Sequence, residues 1–145
     1  MELVFGQRFQ NRQEISAMLG GDTQKGIAVS ARFDVILLFM NAGQIYTDYF
    51  YPSGTHRYCM YTGIGRRGHQ DSIENNMYDL NAEVLSHRAR RKHLLVFEKR
   101  KDGALYFAGE YALTETHQNV QPDEAGVLRR VFVFHLAQIA EDFAL

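Results

Sequence analysis

Two short stretches hold the residues most capable of chemistry. Gln44–Phe50 carries Tyr46 and Asp48, and Tyr58–Gly68 carries Tyr61 and Thr62 among Gly63, Gly65 and Gly68. Two tyrosine rings offer flat faces, an ionised carboxylate accepts hydrogen bonds without donating, and a hydroxyl does both. The glycines permit a tight backbone beside them. Together these groups suit a slot for one flat ring with polar edges, and we read the slot as a nucleobase pocket.

Each signal also has a plainer reading. Tyr46, Tyr49 and Tyr58 can simply alternate on a half-buried strand, and Asp48 alone fits a turn or surface position. The glycines lack the following Gly-Lys-Ser/Thr of a phosphate loop. Six histidines are present, but His87 and His93 have no Cys or carboxylate at metal-ligand spacing, and His56, His69, His117 and His135 are scattered. No metal or cofactor is expected, and no catalytic residue is assigned. Cys59, the single cysteine, reads as a buried inert thiol.

The elements that must position the slot follow from local patterns. Asn11 can cap a helix over residues 11–19, with Glu14 reaching back and Gly20-Gly21 ending it. Ile27–Ser30 is a short strand, and the apolar run Val35–Met40 is a strand buried on both faces. Residues 44–50 and the loop 51–55 look like a hairpin. A second helix is expected from about Asp79 to Arg90, with Glu83 able to pair with a protonated His87. Leu94–Glu98 and Ala104–Leu113 flank an Asp-Gly turn. Residues 118–126 read as a loop, Leu128–Leu136 as a strand, and Ala137–Leu145 as a short helix or a connection. Roughly six strands and two or three short helices make an α+β fold around a curved, barrel-like, mostly antiparallel sheet.

With 145 residues, 46% of them hydrophobic, the chain fits one domain able to bury its own core. A formal charge of −1 excludes a basic coat over the whole surface, so any nucleic-acid contact comes from local patches. No apolar run reaches membrane-spanning length and no signal peptide is evident. With its lone cysteine, the expectation is a soluble cytoplasmic protein without a membrane partner.

Gly6–Glu14, Lys25-Gly-Ile27, the Tyr46/Asp48 pair, Tyr61-Thr-Gly63, Leu105–Gly109 and Arg129-Arg130 before Val131–Phe134 occur in an order that resembles the SRA (SET- and RING-associated) domain. The likeness is strongest to the SRA-like modules of bacterial HNH-type modification-dependent restriction endonucleases, and it spans about Phe5 to Leu136. It implies a PUA-like fold that grips double-stranded DNA and flips a modified cytosine into a pocket. On this resemblance Tyr46 and Tyr61 sandwich the base, Asp48 accepts from the cytosine amine, and Thr62 holds the pyrimidine edge. Stacking contributes about 1–3 kcal/mol per base and extrusion costs a few kcal/mol, so such a set about balances the work. Gly68-His69 stands where the bacterial modules tend to have Gly-Asp, and several extra residues precede Asn81, which aligns with the family's Gly-Asn position. The choice between 5-methylcytosine and 5-hydroxymethylcytosine therefore stays open.

Candidates for DNA contact are Gln24 or Lys25 and the Gln70–Asn76 loop as inserting residues and Arg66, Arg67, Arg88, Arg90, Arg91 and Lys92 as phosphate partners. Lys99–Lys101 and Arg129-Arg130 form further basic clusters, although a run such as Arg88–Lys92 also suits a solvated helix end. The resulting expectation is a non-enzymatic binding module over residues 1–145, with a nuclease domain or subunit as partner and a homodimer compatible with it. Two other classes remain: an enzyme acting on a nucleobase through Asp48 with His69 as companion, and a PUA-like RNA reader.

Overall fold

In the computed structural model, residues 1–40, 48–65, 68–70 and 78–145 are described. Tyr46, Arg66 and Arg67 lie outside them, as does most of the stretch leading into Asp48. The apolar run Val35–Met40 is strand β4 of an open sheet whose order is β3-β4-β7-β8-β9-β6-β5. The members are β3 (Ile27–Val29), β5 (Tyr49–Tyr51), β6 (Tyr58–Thr62), β7 (His93–Lys99), β8 (Leu105–Pro122) and β9 (Leu128–Ala140), with β2 (Arg8–Phe9) also paired to β8. β4 and β7 run parallel and the other ladders are antiparallel. No ladder among the described residues joins β3 to β5, so the barrel-like sheet does not close.

Side-chain alternation divides β4 between two cores. Val35, Leu37 and Phe39 point into one with Leu95, Phe97 and Phe107, which helix α1 (Arg12–Leu19) covers with Ile15 and Leu19. Ile36 and Leu38 point into the other with Leu94, Val96, Tyr61, Tyr111 and Phe134, where helix α2 (Tyr78–Leu85) contributes Val84. Burial on both faces is thus the reason for the unbroken apolar run. Register shifts at Leu95/Phe97, Glu110/Tyr111 and Leu113/Glu115 bend the central strands. Gly109, at φ +109°, stands beside one of them, where an added Cβ would lie 2.8 Å from the Ala140 carbonyl.

The α1 cap forms as its sequence requires: Asn11 Oδ1 accepts the Glu14 N–H at 3.0 Å. Glu14 reaches back one residue further than expected, to the Gln10 N–H at 2.6 Å. Four expectations need correction. First, α2 ends at Leu85 rather than Arg90, because His87 turns inward; its Nδ1 lies 2.9 Å from the Lys92 carbonyl and its Nε2 accepts the Leu113 N–H at 3.1 Å. Second, Glu83 consequently pairs with Arg90 at 2.8 Å and Lys92 at 3.6 Å, not with His87.

Third, residues 118–122 are not loop but the far part of β8, in register with β9 from Gln118↔Phe132 to Pro122↔Leu128. Their polar, mostly exposed side chains hid a strand whose one ladder partner, β9, lies just across the turn. The turn is confined to Asp123–Val127, where Asp123 Oδ1 accepts from Ala125 N at 2.8 Å and Val127 N at 2.9 Å. Fourth, the tail continues β9 to Ala140 and then forms β10 (Phe143–Ala144), which pairs with β1 (Glu2–Leu3). The buried Phe143 side chain joins the α1-side core, and this draws the tail into a strand instead of a helix.

Candidate functional site

Strand β6 delivers the first site residues. It pairs with β9 through Tyr61↔Phe134 and Thr62↔Val133, then leaves the ladder at Gly63. Asp48 is only 5% exposed, and its Oδ1 accepts the Thr62 backbone N–H at 2.8 Å. Asp48 and Thr62 therefore meet at the end of β6, next to Tyr61 in the chain. Thr62 itself is 1% exposed.

Tyr61 differs from expectation. Its ring is 1% exposed and belongs to the core shared with Ile36, Leu38 and Phe134, rather than standing as an open platform. Its hydroxyl donates to the Gly26 carbonyl at 2.7 Å and the Phe39 carbonyl at 3.2 Å. The cause is strand alternation: Cys59 and Tyr61 share the inward face of β6. A base stacked on Tyr61 has to displace what covers that ring. Tyr49, Tyr51 and Tyr58 do show the plainer pattern of a half-buried hairpin, with Tyr51 and Tyr58 stacked at 5.1 Å between centroids.

The Gln24–Lys25 loop is positioned directly over this region through Gly26. Both residues are exposed, and their backbone N–H groups donate to Asp22 Oδ1 at 2.7 Å each. Arg12 anchors the loop from α1: its guanidinium donates to the Asp22 and Lys25 carbonyls at 2.7 and 2.8 Å and lies 3.5 Å from the Phe39 ring centre. A cleft of about 340 Å³ opens beside it, with Arg12, Gln24, Phe39 and Lys99 in its walls, and neither Asp48 nor Thr62 lines it.

Gln70 is the clearest correction. Expected to insert as part of the Gln70–Asn76 loop, the rest of which lies outside the described residues, it is 0% exposed. Its amide accepts the Phe132 N–H at 2.9 Å and donates to the Gly63 carbonyl. Asn81, also 0% exposed, takes the next residue: its Oδ1 accepts the Ile64 N–H at 2.8 Å and its Nδ2 donates to the Ile64 carbonyl at 2.9 Å. Gly63 is required by this crowding. A Cβ there would lie 2.6 Å from Gln70 Oε1 and 3.0 Å from Asn81 Oδ1. The resemblance marked Asn81 as the Asn of the family's Gly-Asn position but gave neither amide an inward role, because an Asn or Gln reads as surface until its backbone partners are known.

The basic run lies elsewhere. Arg88, Arg90, Arg91 and Lys92 form the turn that feeds β7 at the Val35/His93 end of the parallel pair. Tyr61 bonds to the other end of β4, at Phe39, about 13 Å away at ordinary strand rise. Arg90 and Lys92 are already paired with Glu83, whereas Arg88 and Arg91 are exposed. His69 is exposed and its Nδ1 accepts the Arg130 N–H at 3.0 Å. Cys59 is fully buried, and that burial pushes its thiol well above the usual range. Among the described residues, no three His, Cys, Asp or Glu side chains are placed to hold a metal ion, and no helix is long and apolar enough to cross a membrane.

Solved SRA domains align with this fold. The structure of the type IV phosphorothioation-dependent restriction endonuclease ScoMcrA aligns with a TM-score of 0.75 and 23% identity, covering 94% of this chain and 28% of that one. The SRA domain of SUVH5 in complex with hemi-methylated CG DNA aligns at 0.67 and 19% identity, covering 99% and 93%. The modification-dependent TagI restriction endonuclease aligns at 0.65 and 19% identity, covering 94% and 50%. The chain thus has the SRA fold and spans less than a third of the full ScoMcrA chain. Residues 5–144 match the family described as ScoMcrA-like, SRA domain, and the chain belongs to that family. No curated protein matches the chain.

Proposed function

We propose that the chain reads a modified cytosine, 5-methylcytosine or 5-hydroxymethylcytosine, turned out of duplex DNA. In this role it is the recognition module of a modification-dependent restriction system, non-enzymatic itself and coupled to a nuclease in another domain or subunit. The observation that carries the reading is Asp48: a carboxylate 5% exposed, oriented by the Thr62 N–H at the end of β6. An ionised carboxylate suits the cytosine exocyclic amine and disfavours the thymine carbonyl at the same place. Thr62 would hold the pyrimidine edge, Tyr46 would supply one stacking face, and Tyr61 the other once its cover shifts. Gln24 or Lys25, both exposed, would enter the gap left in the duplex.

The relatives support modified DNA as the ligand class. SUVH5 SRA was solved with methylated DNA, and the sulfur-binding and SRA domains of ScoMcrA with phosphorothioated DNA. The latter favours one rival, a reader of backbone sulfur. Matched duplexes containing cytosine, 5-methylcytosine, 5-hydroxymethylcytosine or one phosphorothioate, together with a duplex RNA, separate these readings. A preference of tenfold or more for one modified cytosine, about 1.4 kcal/mol, that disappears in Asp48→Ala establishes the base reader. Preference for the phosphorothioate duplex, or equal binding to all, rejects it.

A further inference from the structure

The backbone that follows β6 leaves the sheet but keeps its polar groups matched. The Gly63 N–H donates to the Phe132 carbonyl at 2.8 Å. The Gly63 carbonyl receives the Gln70 side-chain amide, whose oxygen accepts the Phe132 N–H at 2.9 Å. That amide therefore occupies the place of a peptide unit between β6 and β9, donating to one chain and accepting from the other. The Gln70 backbone N–H also donates to the Arg130 carbonyl at 3.0 Å. One residue on, Asn81 repeats the device from α2 with a two-point bond to Ile64.

Each amide must both donate and accept. A carboxylate of the same shape cannot donate, and would face the Gly63 or Ile64 carbonyl as a second acceptor in a site without water access. The chemistry at these two positions is consequently amide chemistry, not merely polarity.

We propose that Gln70 and Asn81 are positioning residues for base selectivity. They hold Thr62–Gly65 in its final geometry before DNA arrives, so that the Thr62 N–H aims the Asp48 carboxylate at the base. This rests on the base reading above. It assigns Gln70 a role inside the protein in place of one in the duplex.

The test compares wild type, Asp48→Ala, Gln70→Glu and Asn81→Asp on duplexes that differ only in cytosine against its preferred modified form. In both amide variants the ratio of the two affinities is expected to fall at least fivefold, while affinity for the unmodified duplex changes less than twofold. A purely structural role would weaken both duplexes together. An unchanged ratio in folded variants, with Asp48→Ala still losing it, removes the selectivity role alone; a wild type without preference removes the base reading and this role with it. Should the variants not fold, hydrogen exchange on the wild type decides. The Phe132 and Ile64 amides, which donate to the Gln70 and Asn81 side chains, are expected to be protected in the free protein and unchanged by the modified duplex. Fast exchange that slows only on binding overturns the proposal.

Discussion

Asp48 and His87 are both buried polar side chains, and their partners give them opposite tasks. Asp48 receives a backbone N–H as a carboxylate, whereas His87 must stay neutral to accept from Leu113 N. Burial, more than the neighbouring Arg88, pulls the His87 pKa below its ordinary 6.5, against the opposing pull of the Lys92 carbonyl. The unfolded chain then binds this proton more readily than the folded one. Stability is full above about pH 6.5 and falls as pH drops through the lowered folded value. Urea midpoints at pH 7.5 and 5 should show the loss in wild type and a smaller loss in His87→Gln. Tyr61→Phe removes the one hydroxyl shared by the Gly26 and Phe39 carbonyls. It should cost about 1–2 kcal/mol in the same denaturation experiment, with little change in cooperativity.

At the scale of elements, the β6 exit loop and the two-sided sheet make distinct demands. Gly63→Ala places a methyl against two amides and a strand, so we expect a loss of about 1–3 kcal/mol by thermal unfolding even though alanine favours the backbone elsewhere. Phe97 sits within 5.4–5.8 Å of the Phe9, Phe39 and Phe107 rings. Phe97→Ala should therefore cost about 3–5 kcal/mol, more than any site-loop change. Most elements were legible beforehand for a physical reason: α1 carries its own cap, β4 its own apolar run, and the β7–β8 hairpin its own Asp-Gly turn. The far half of β8, the β10 strand and the early end of α2 were not. The last two are decided by partners distant in sequence, β1 and the inward turn of His87 toward Leu113, whereas the far half of β8 pairs across a short turn with β9 and was hidden by its polar, exposed side chains.

For the whole molecule, near-neutral charge means that DNA affinity and base selectivity should separate. Binding to an unmodified duplex depends on a few exposed cations and should weaken steeply with salt, while the modified-to-unmodified ratio, set in a buried slot, should stay nearly constant. Titrations from about 50 to 200 mM salt check this, and a ratio that collapses with salt contradicts a desolvated pocket. Arg88→Ala and Arg91→Ala would each reduce the salt slope by about one if they neutralise a phosphate, and Arg90→Ala less, since Glu83 already holds it.

The residue types alone determined a great deal about this protein: an α+β chain with a strand buried on both faces, local patches in place of a basic surface, and Asp48, Tyr61 and Thr62 as residue types worth testing, though not that they meet. Those conclusions depend on short-range rules of alternation, capping and charge that operate within a few residues. Only the tertiary structure decided that the Tyr61 ring faces the core, that Gln70 looks inward and that Asn81 reaches across from α2 to Ile64. Whether a polar side chain meets water or a backbone partner depends on which distant strand or helix lies beside it, and spacing along the chain carries no record of that.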